Sequence, residues 1–127
     1  MEQVVVDSDL IIDFLRTRKG FFVDLLKLQT EGKIEFFIAS VTVFELFSGQ
    51  STVGEENELL DLISKLKVIS FDADIARLAG EINRNSQYIL KLADLAIGAT
   101  TLFLNAELAT KNQKHFSQIP KLKFFKF

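Results

Sequence analysis

Short apolar runs alternate with longer segments of helical periodicity along most of this chain. Such alternation is typical of an α/β domain, in which buried strands of a largely parallel sheet are joined by helices that cover its faces. The runs predict strands at residues 4–6, 35–38, 68–71 and 107–109, with a last strand at 123–125 that follows Pro120 and could lie at the sheet edge.

Helical spacing of apolar residues and the residues that flank each segment predict the helices between these strands. The first, capped by Asp7 or Ser8, includes Leu10 to Leu15 and ends at Gly20, and the others cover residues 21–30, 41–47, 55–66, 73–82 and 92–104. The segment 83–88 reads as a polar loop and 111–116 as a turn or short helix. Because residues 92–104 are apolar nearly all round, we expect that helix to be packed centrally.

The composition limits the chemistry that the chain can perform. Its 127 residues predict a single domain over 1–127, and 48% hydrophobic with 25% charged residues is typical of a globular protein. The absence of Cys and the single His exclude disulfides, thiolate metal sites and histidine-rich zinc sites, and a catalytic triad would need that one His. The remaining oxygen ligands suit Mg²⁺ or Mn²⁺.

Targeting signals are not evident in the sequence. No apolar run reaches the roughly 18 residues that a membrane span needs, and the acidic Glu2 and Asp7 stand where a signal peptide would be basic and apolar. We therefore expect a cytoplasmic protein without membrane contact.

The charges are unevenly distributed. The net charge of −2 argues against nucleic-acid binding through overall charge, but no acid follows Glu107 while five lysines do. The basic end could face phosphates, with Lys111 and Lys114 as candidate substrate-binding residues, or it could be a solvated tail.

Three acids, Asp7, Glu45 and Asp94, interrupt apolar runs. A buried carboxylate without a partner is costly, so each must reach a surface, take up a proton or meet a cation. Ligands of parallel sheets bind beyond the carboxyl ends of the strands, where Asp7 is predicted, and Thr110 and Asn112 follow a later strand. If the three carboxylates converge, the repulsion between them would favour the binding of a divalent ion. The alternatives are a helix cap for Asp7, an exposed helix position for Glu45 and a dipole-stabilising acid for Asp94.

Four segments together resemble the PIN-domain ribonucleases, and specifically the VapC toxins of type II toxin–antitoxin pairs. The resemblance covers nearly the whole chain in order and without a large insertion. The four segments are Val4-Val5-Val6-Asp7-Ser8-Asp9-Leu10-Ile11-Ile12-Asp13, Ser40-Val41-Thr42-Val43-Phe44-Glu45-Leu46-Phe47-Ser48-Gly49, Ala93-Asp94-Leu95-Ala96-Ile97-Gly98-Ala99-Thr100, and Leu108-Ala109-Thr110-Lys111-Asn112-Gln113-Lys114-His115-Phe116 with Ile119-Pro120.

The resemblance implies a three-layer α/β/α domain around a parallel sheet of four or five strands, and a Mg²⁺- or Mn²⁺-dependent endoribonuclease. It also implies a homodimer that a cognate antitoxin inhibits by inserting a segment into the acidic cleft. By match to the motifs, Asp7, Glu45 and Asp94 would be the catalytic and metal-binding acids. Supporting roles fall to Ser8, Asp9, Thr110 and Asn112, of which Asn112 replaces a fourth acid common in the family and puts a tightly bound second ion in doubt.

Other classes remain possible from the sequence. Asp7-Ser8-Asp9 after an apolar strand also resembles the first motif of haloacid-dehalogenase-type phosphatases, but no convincing paired-acid motif follows. A phosphoacceptor receiver domain has this length, but it needs its acceptor Asp at the end of a central strand, and no such strand stands out near the middle of the chain. A PIN scaffold that binds RNA or protein without cutting, or that serves in housekeeping RNA processing, is the more serious alternative because of Asn112.

Overall fold

A computed structural model describes residues 2–127, apart from the side chain of Ser51. Its centre is a parallel sheet of four strands in the order β3-β2-β1-β4. The strands are β1 (Glu2–Val6), β2 (Ile34–Ala39), β3 (Lys67–Ile69) and β4 (Glu107–Ala109). The two inner strands are apolar at residues 4–6 of β1 and throughout β2 except at Glu35, as expected where both faces of a sheet are covered.

Helices connect successive strands and cover both faces of the sheet. They are α1 (Ser8–Thr17), α2 (Phe21–Thr30), α3 (Ser40–Ser48), α4 (Glu56–Ser64), α5 (Ala73–Asn85) and α6 (Leu92–Phe103), with short 3₁₀ turns at Gln50–Thr52 and Gln113–Phe116. The described residues therefore form the three-layer α/β/α architecture that the sequence predicts.

Successive residues of β1 pack into two apolar cores, one on each face of the sheet. Val4 and Val6 pack on one face against apolar residues of α1, α2 and α4, while Val5 packs on the other face against α6 and the segment around Phe116 and Ile119. Alternation of side chains along a strand places the odd and even positions on opposite faces. As predicted, α6 lies centrally, with seven consecutive buried residues from Leu95 to Thr101.

Tight packing explains one glycine in α6. A methyl group added at Gly98 would collide with Cδ1 of Ile119, and the nearest three atoms all belong to that buried side chain. The glycine therefore lets the chain after β4 lie directly against the helix.

Several local predictions were wrong in detail. Gly20 does not end α1, because Arg18 closes the helix in the left-handed conformation (φ 59°). Ser40 is the first residue of α3, one position before the predicted start, and its hydroxyl accepts a hydrogen bond from the Phe71 backbone N–H at 3.0 Å. Residues 83–85 continue α5, and the predicted last strand is reduced to one parallel bridge between Leu108 and Phe124.

Candidate functional site

The acidic residues gather beyond the carboxyl ends of β1 and β4. The chain moves outward from β1 through β2 to β3 and then crosses to β4 on the other side of β1, so the strand order reverses between β1 and β4. Ligand sites of parallel α/β sheets form at such a reversal. Asp7 follows β1 directly and Thr110 follows β4, which brings residues 103 positions apart into hydrogen-bonding contact.

Asp7 is the most buried acid of the site. Its side chain is 7% exposed. One carboxylate oxygen accepts from the Ser8 backbone N–H at 2.8 Å, which caps α1, and the other accepts from the Thr110 hydroxyl at 2.8 Å. Both hydrogen bonds fix its orientation towards the end of the sheet.

Asp9 is held by the loop that follows β4. Its Oδ2 accepts from the backbone N–H of Lys111 at 3.0 Å and from Nδ2 of Asn112 at 3.1 Å, and it lies 3.2 Å from the Thr110 hydroxyl. Its Oδ1 is buried and has no hydrogen-bond partner among the described residues. Asn112 thus acts as a donor to an acid where a carboxylate would repel it.

The Thr110 hydroxyl contacts two carboxylates at once. It lies 2.8 Å from Asp7 Oδ2 and 3.2 Å from Asp9 Oδ2, while it accepts from the Asn112 backbone N–H at 3.0 Å. A hydroxyl has one hydrogen to donate, so it satisfies only one carboxylate at a time. The competition between the Asp7 and Asp9 carboxylates is relieved when one of them carries a proton or when a cation binds between them.

Glu45 and Asp94 approach from the other side. Glu45 lies on α3, half-buried, and its Oε1 accepts from the Ser8 hydroxyl at 3.3 Å. Asp94 lies in the first turn of α6, also partly buried. Ser8 therefore links the β1 end of the site to α3.

Burial raises the pKa of each of these acids, and repulsion by neighbouring acids adds to the effect at Asp7 and Glu45. Burial, then the charge of Asp9, raises the pKa of Asp7 to about 7, against lowering by its two hydrogen bonds. Burial also raises the pKa of Asp9, Glu45 and Asp94, and the negative charge of Asp94 adds to the effect at Glu45. The acids are close enough to destabilise one another's charged forms.

The donor set suits a hard divalent cation, although the described residues contain no three acidic or imidazole groups already positioned as a ligand cage. None of the four acids forms an ion pair within 4 Å in the part of the chain that the structure covers. A cation bound here would give the buried Asp9 Oδ1 a partner. Its positive charge would also lower the raised pKa values of the carboxyl groups. Mg²⁺ keeps several waters, so its site need not be a complete protein cage.

Basic residues line the rim of the site. Lys111 lies 3.6 Å from Asp13, an ion pair that the sequence did not predict, and Lys114 is exposed nearby. The neighbouring His115 and Lys91 side chains lower the pKa of Asp94, against the larger raising effect of burial. Sequence reasoning missed both as neighbours of the site; the one available signal was that Lys91 immediately precedes the helix that carries Asp94.

Known protein families match the chain over almost its whole length. The PIN domain matches residues 4–122. The chain belongs to the PIN-domain family. Among curated PIN-domain relatives, ribonuclease VapC10 of Mycobacterium tuberculosis is 32% identical over 123 residues, covering 94% of this chain and 90% of the relative. Ribonuclease VapC19 of the same organism is 29% identical over 124 residues, covering 93% and 95% respectively.

Solved structures share the PIN fold. A chain of the DNA-bound VapBC complex of Salmonella typhimurium superposes with a TM-score of 0.83 at 19% identity over 98% of both chains. A chain of a toxin–antitoxin complex from Klebsiella pneumoniae gives 0.73 at 25% identity over 98% of this chain and 99% of that one. No helix among residues 2–127 combines the length and apolar character needed to cross a bilayer.

Proposed function

We propose that this PIN-domain protein is an endoribonuclease that hydrolyses RNA phosphodiester bonds with the help of Mg²⁺ or Mn²⁺. The observation that carries the proposal is the cluster of Asp7, Asp9, Glu45 and Asp94 beyond β1 and β4, without a basic partner in direct contact among the described residues. Relatives named VapC ribonucleases over nearly the full length support the reaction class.

The chain's own residues have distinct parts in this proposal. Asp7, Glu45 and Asp94 would hold the ion, while Ser8 and Thr110 orient two of these carboxylates by hydrogen bonds. When bound, a divalent ion acidifies a water molecule and offsets charge on the phosphate oxygens. Lys111 and Lys114 at the rim would bind neighbouring RNA phosphates.

Partners follow from the same relatives. The similar solved structures are VapBC or toxin–antitoxin complexes, and we propose that this chain is the toxin of such a pair, binds a cognate antitoxin and forms a homodimer. Exposed apolar side chains supply contact area for such partners, notably Phe44 at 69% and Leu92 at 69% exposure.

Cleavage assays with single-stranded RNA test the catalytic proposal. We expect the purified chain to cut RNA with Mn²⁺ or Mg²⁺ and to stop in EDTA. Asp94→Asn should lower the rate at least 100-fold, because it removes a metal-binding charge, with little change in melting temperature. Asp24→Asn, an exposed acid on α2, is the matched control and should cut at the wild-type rate.

Two results would contradict the proposal. Undiminished cleavage by Asp94→Asn would remove that acid from the site. Metal-independent RNA binding without any cleavage would instead favour a non-catalytic PIN scaffold. Co-purification with the product of a neighbouring antitoxin reading frame, and loss of cleavage in that complex, would test the toxin assignment separately.

A further inference from the structure

A pair of adjoining depressions extends from Asp94 across the junction of α5 and α6. The first, of about 260 Å³, is lined by Asp94 with Lys91, Lys114 and His115. The second, of about 410 Å³, is lined by Glu81, Asn85 and Gln87. Tyr88 and Gln118 line both depressions, so the two share a wall.

Tyr88 is held in place although it is exposed. Its side chain is 58% exposed. The Ser86 hydroxyl donates to the Tyr88 carbonyl at 3.0 Å and accepts from the Tyr88 backbone N–H at 3.1 Å. An exposed aromatic ring on a fixed backbone is a stacking platform that loses little entropy on binding.

The second depression is lined by side-chain amides. Asn85, Gln87 and Gln118 are exposed and each presents both a donor and an acceptor. Recognition of an unstacked RNA base requires a π surface for stacking and hydrogen bonds to the base edge. An aromatic ring supplies the first and side-chain amides beside it supply the second. Lys91 and Lys114 line the first depression together with Asp94, and that depression shares Tyr88 and Gln118 with the second.

We propose that the depression lined by Tyr88, Asn85, Gln87 and Gln118 is a nucleobase pocket for single-stranded RNA. It takes a base close to the bond that is cut, which stacks on Tyr88 and pairs with the amides. Lys91 and Lys114 contact the backbone phosphate between this base and the acids. The inference rests on the proposed RNA cleavage and adds the residues that select the sequence.

Tyr88 fluorescence tests base contact directly. Tyr88 is the one Tyr of the chain and there is no Trp, so intrinsic tyrosine emission reports this residue alone. With the Asp94→Asn variant, which we expect not to cut, a short single-stranded RNA should quench the emission. An abasic oligonucleotide of the same length should bind more weakly and leave the emission unchanged.

Cleavage of a randomised RNA pool tests selectivity. In the wild type we expect a base preference at one position near the cut, read by sequencing the new ends. Tyr88→Ala should raise KM roughly tenfold or more, since stacking on an aromatic residue is worth about that much. Tyr88→Phe keeps the ring and should keep KM. Gln118→Ala should flatten the base preference with a smaller change in KM.

The control variant lies on the same helix as Asp94. Phe103 is a comparably exposed aromatic, at 51%, at the other end of α6, and Phe103→Ala should change neither KM nor preference. RNA binding without quenching, or an unchanged base preference in Tyr88→Ala and Gln118→Ala, would overturn the nucleobase pocket while leaving the nuclease intact. A wild type that neither cuts nor binds RNA would overturn the proposed function itself.

Discussion

At the scale of single residues, the Thr110 hydroxyl defines the chemistry of the site. It contacts Asp7 and Asp9 through oxygens 2.8 and 3.2 Å away, and it has one hydrogen for both. The raised pKa of Asp7, about 7, means that the free protein can relieve this competition by holding a proton. Acids gathered for binding a cation thus lower the stability of the unliganded fold, a common cost of functional sites.

The first prediction concerns pH and stability. The carboxyl pKa of Asp7 is raised from 3.8 to about 7 in the fold, so the folded state holds a proton that the unfolded state gives up, and stability falls as pH rises between these values. The loss is at most about 4 kcal/mol, at about 1.4 kcal/mol per pKa unit. We expect Asp7→Asn to gain stability over the wild type between pH 5 and pH 8 in EDTA, measured by urea unfolding.

The wild type at both pH values is the reference for that comparison, because ionisable groups distant from Asp7 titrate alike in both proteins and cancel in the difference. A difference in unfolding free energy that is the same at pH 5 and pH 8 would contradict a raised pKa at Asp7. Saturating Mn²⁺ should reduce the difference in unfolding free energy between Asp7→Asn and the wild type at pH 8, because it stabilises the wild type alone.

The second prediction concerns Asn112. Its Nδ2 donates to Asp9 Oδ2 at 3.1 Å. Asn112→Asp replaces this donor with a negative charge, so we expect a melting temperature several degrees lower in EDTA and a larger upward shift with Mn²⁺. Differential scanning fluorimetry with and without metal measures both. Asn112→Ala removes the hydrogen bond without adding charge; an equal metal-dependent shift in both variants would rule out the electrostatic explanation.

The sequence revealed part of this site for a physical reason. An acid inside an apolar run is visible without a fold, which is how Asp7, Glu45 and Asp94 were singled out. The contacts of Asp9 depend on where the loop after β4 lies, and the effect of His115 on Asp94 depends on the 3₁₀ turn beside α6. Such through-space relations leave no local pattern in the sequence.

At the scale of elements, α6 is held by close contact with the chain after β4. Gly98 and Ile119 meet where no β-carbon fits. We expect Gly98→Ala to cost about 1–2 kcal/mol, because overpacking outweighs the helix propensity gained. Ile119→Val deletes the colliding Cδ1 atom, so in that background Gly98→Ala should become neutral or stabilising. Chemical denaturation of the four proteins measures this coupling, and strictly additive effects would refute it.

Element boundaries were predictable where the signals were local. The bounds of α2 and β4 agree with the sequence prediction, and for α2 the local signals are Gly20 and Gly32 on either side of it. The C-terminal aromatic residues are partly covered by the rest of the molecule: Phe125 is buried at 8% exposure, and Phe127 stacks on Phe21 at 4.2 Å between ring centroids. Partial burial of a terminus is decided by the rest of the fold.

At the scale of the whole molecule, a net charge of −2 must be reconciled with a polyanionic substrate. If Lys91, Lys111 and Lys114 contact three phosphates, the logarithm of the RNA association constant should fall with the logarithm of salt concentration with a slope of roughly −2. Fluorescence anisotropy with labelled RNA measures it. Lys114→Ala should reduce the slope by about 0.7, whereas Lys65→Ala, near the opposite end of the strands, should not; a slope near zero would exclude these lysines as the RNA-binding rim.

The pairing of β4 with β1 makes the first and last parts of the chain mutually dependent. Asp7 precedes its partner Thr110 by 103 residues, so a nascent chain lacks this contact until β4 and the residue after it have been synthesised. Until that strand is in place, a nascent chain carries these acids without the arrangement that the finished fold gives them.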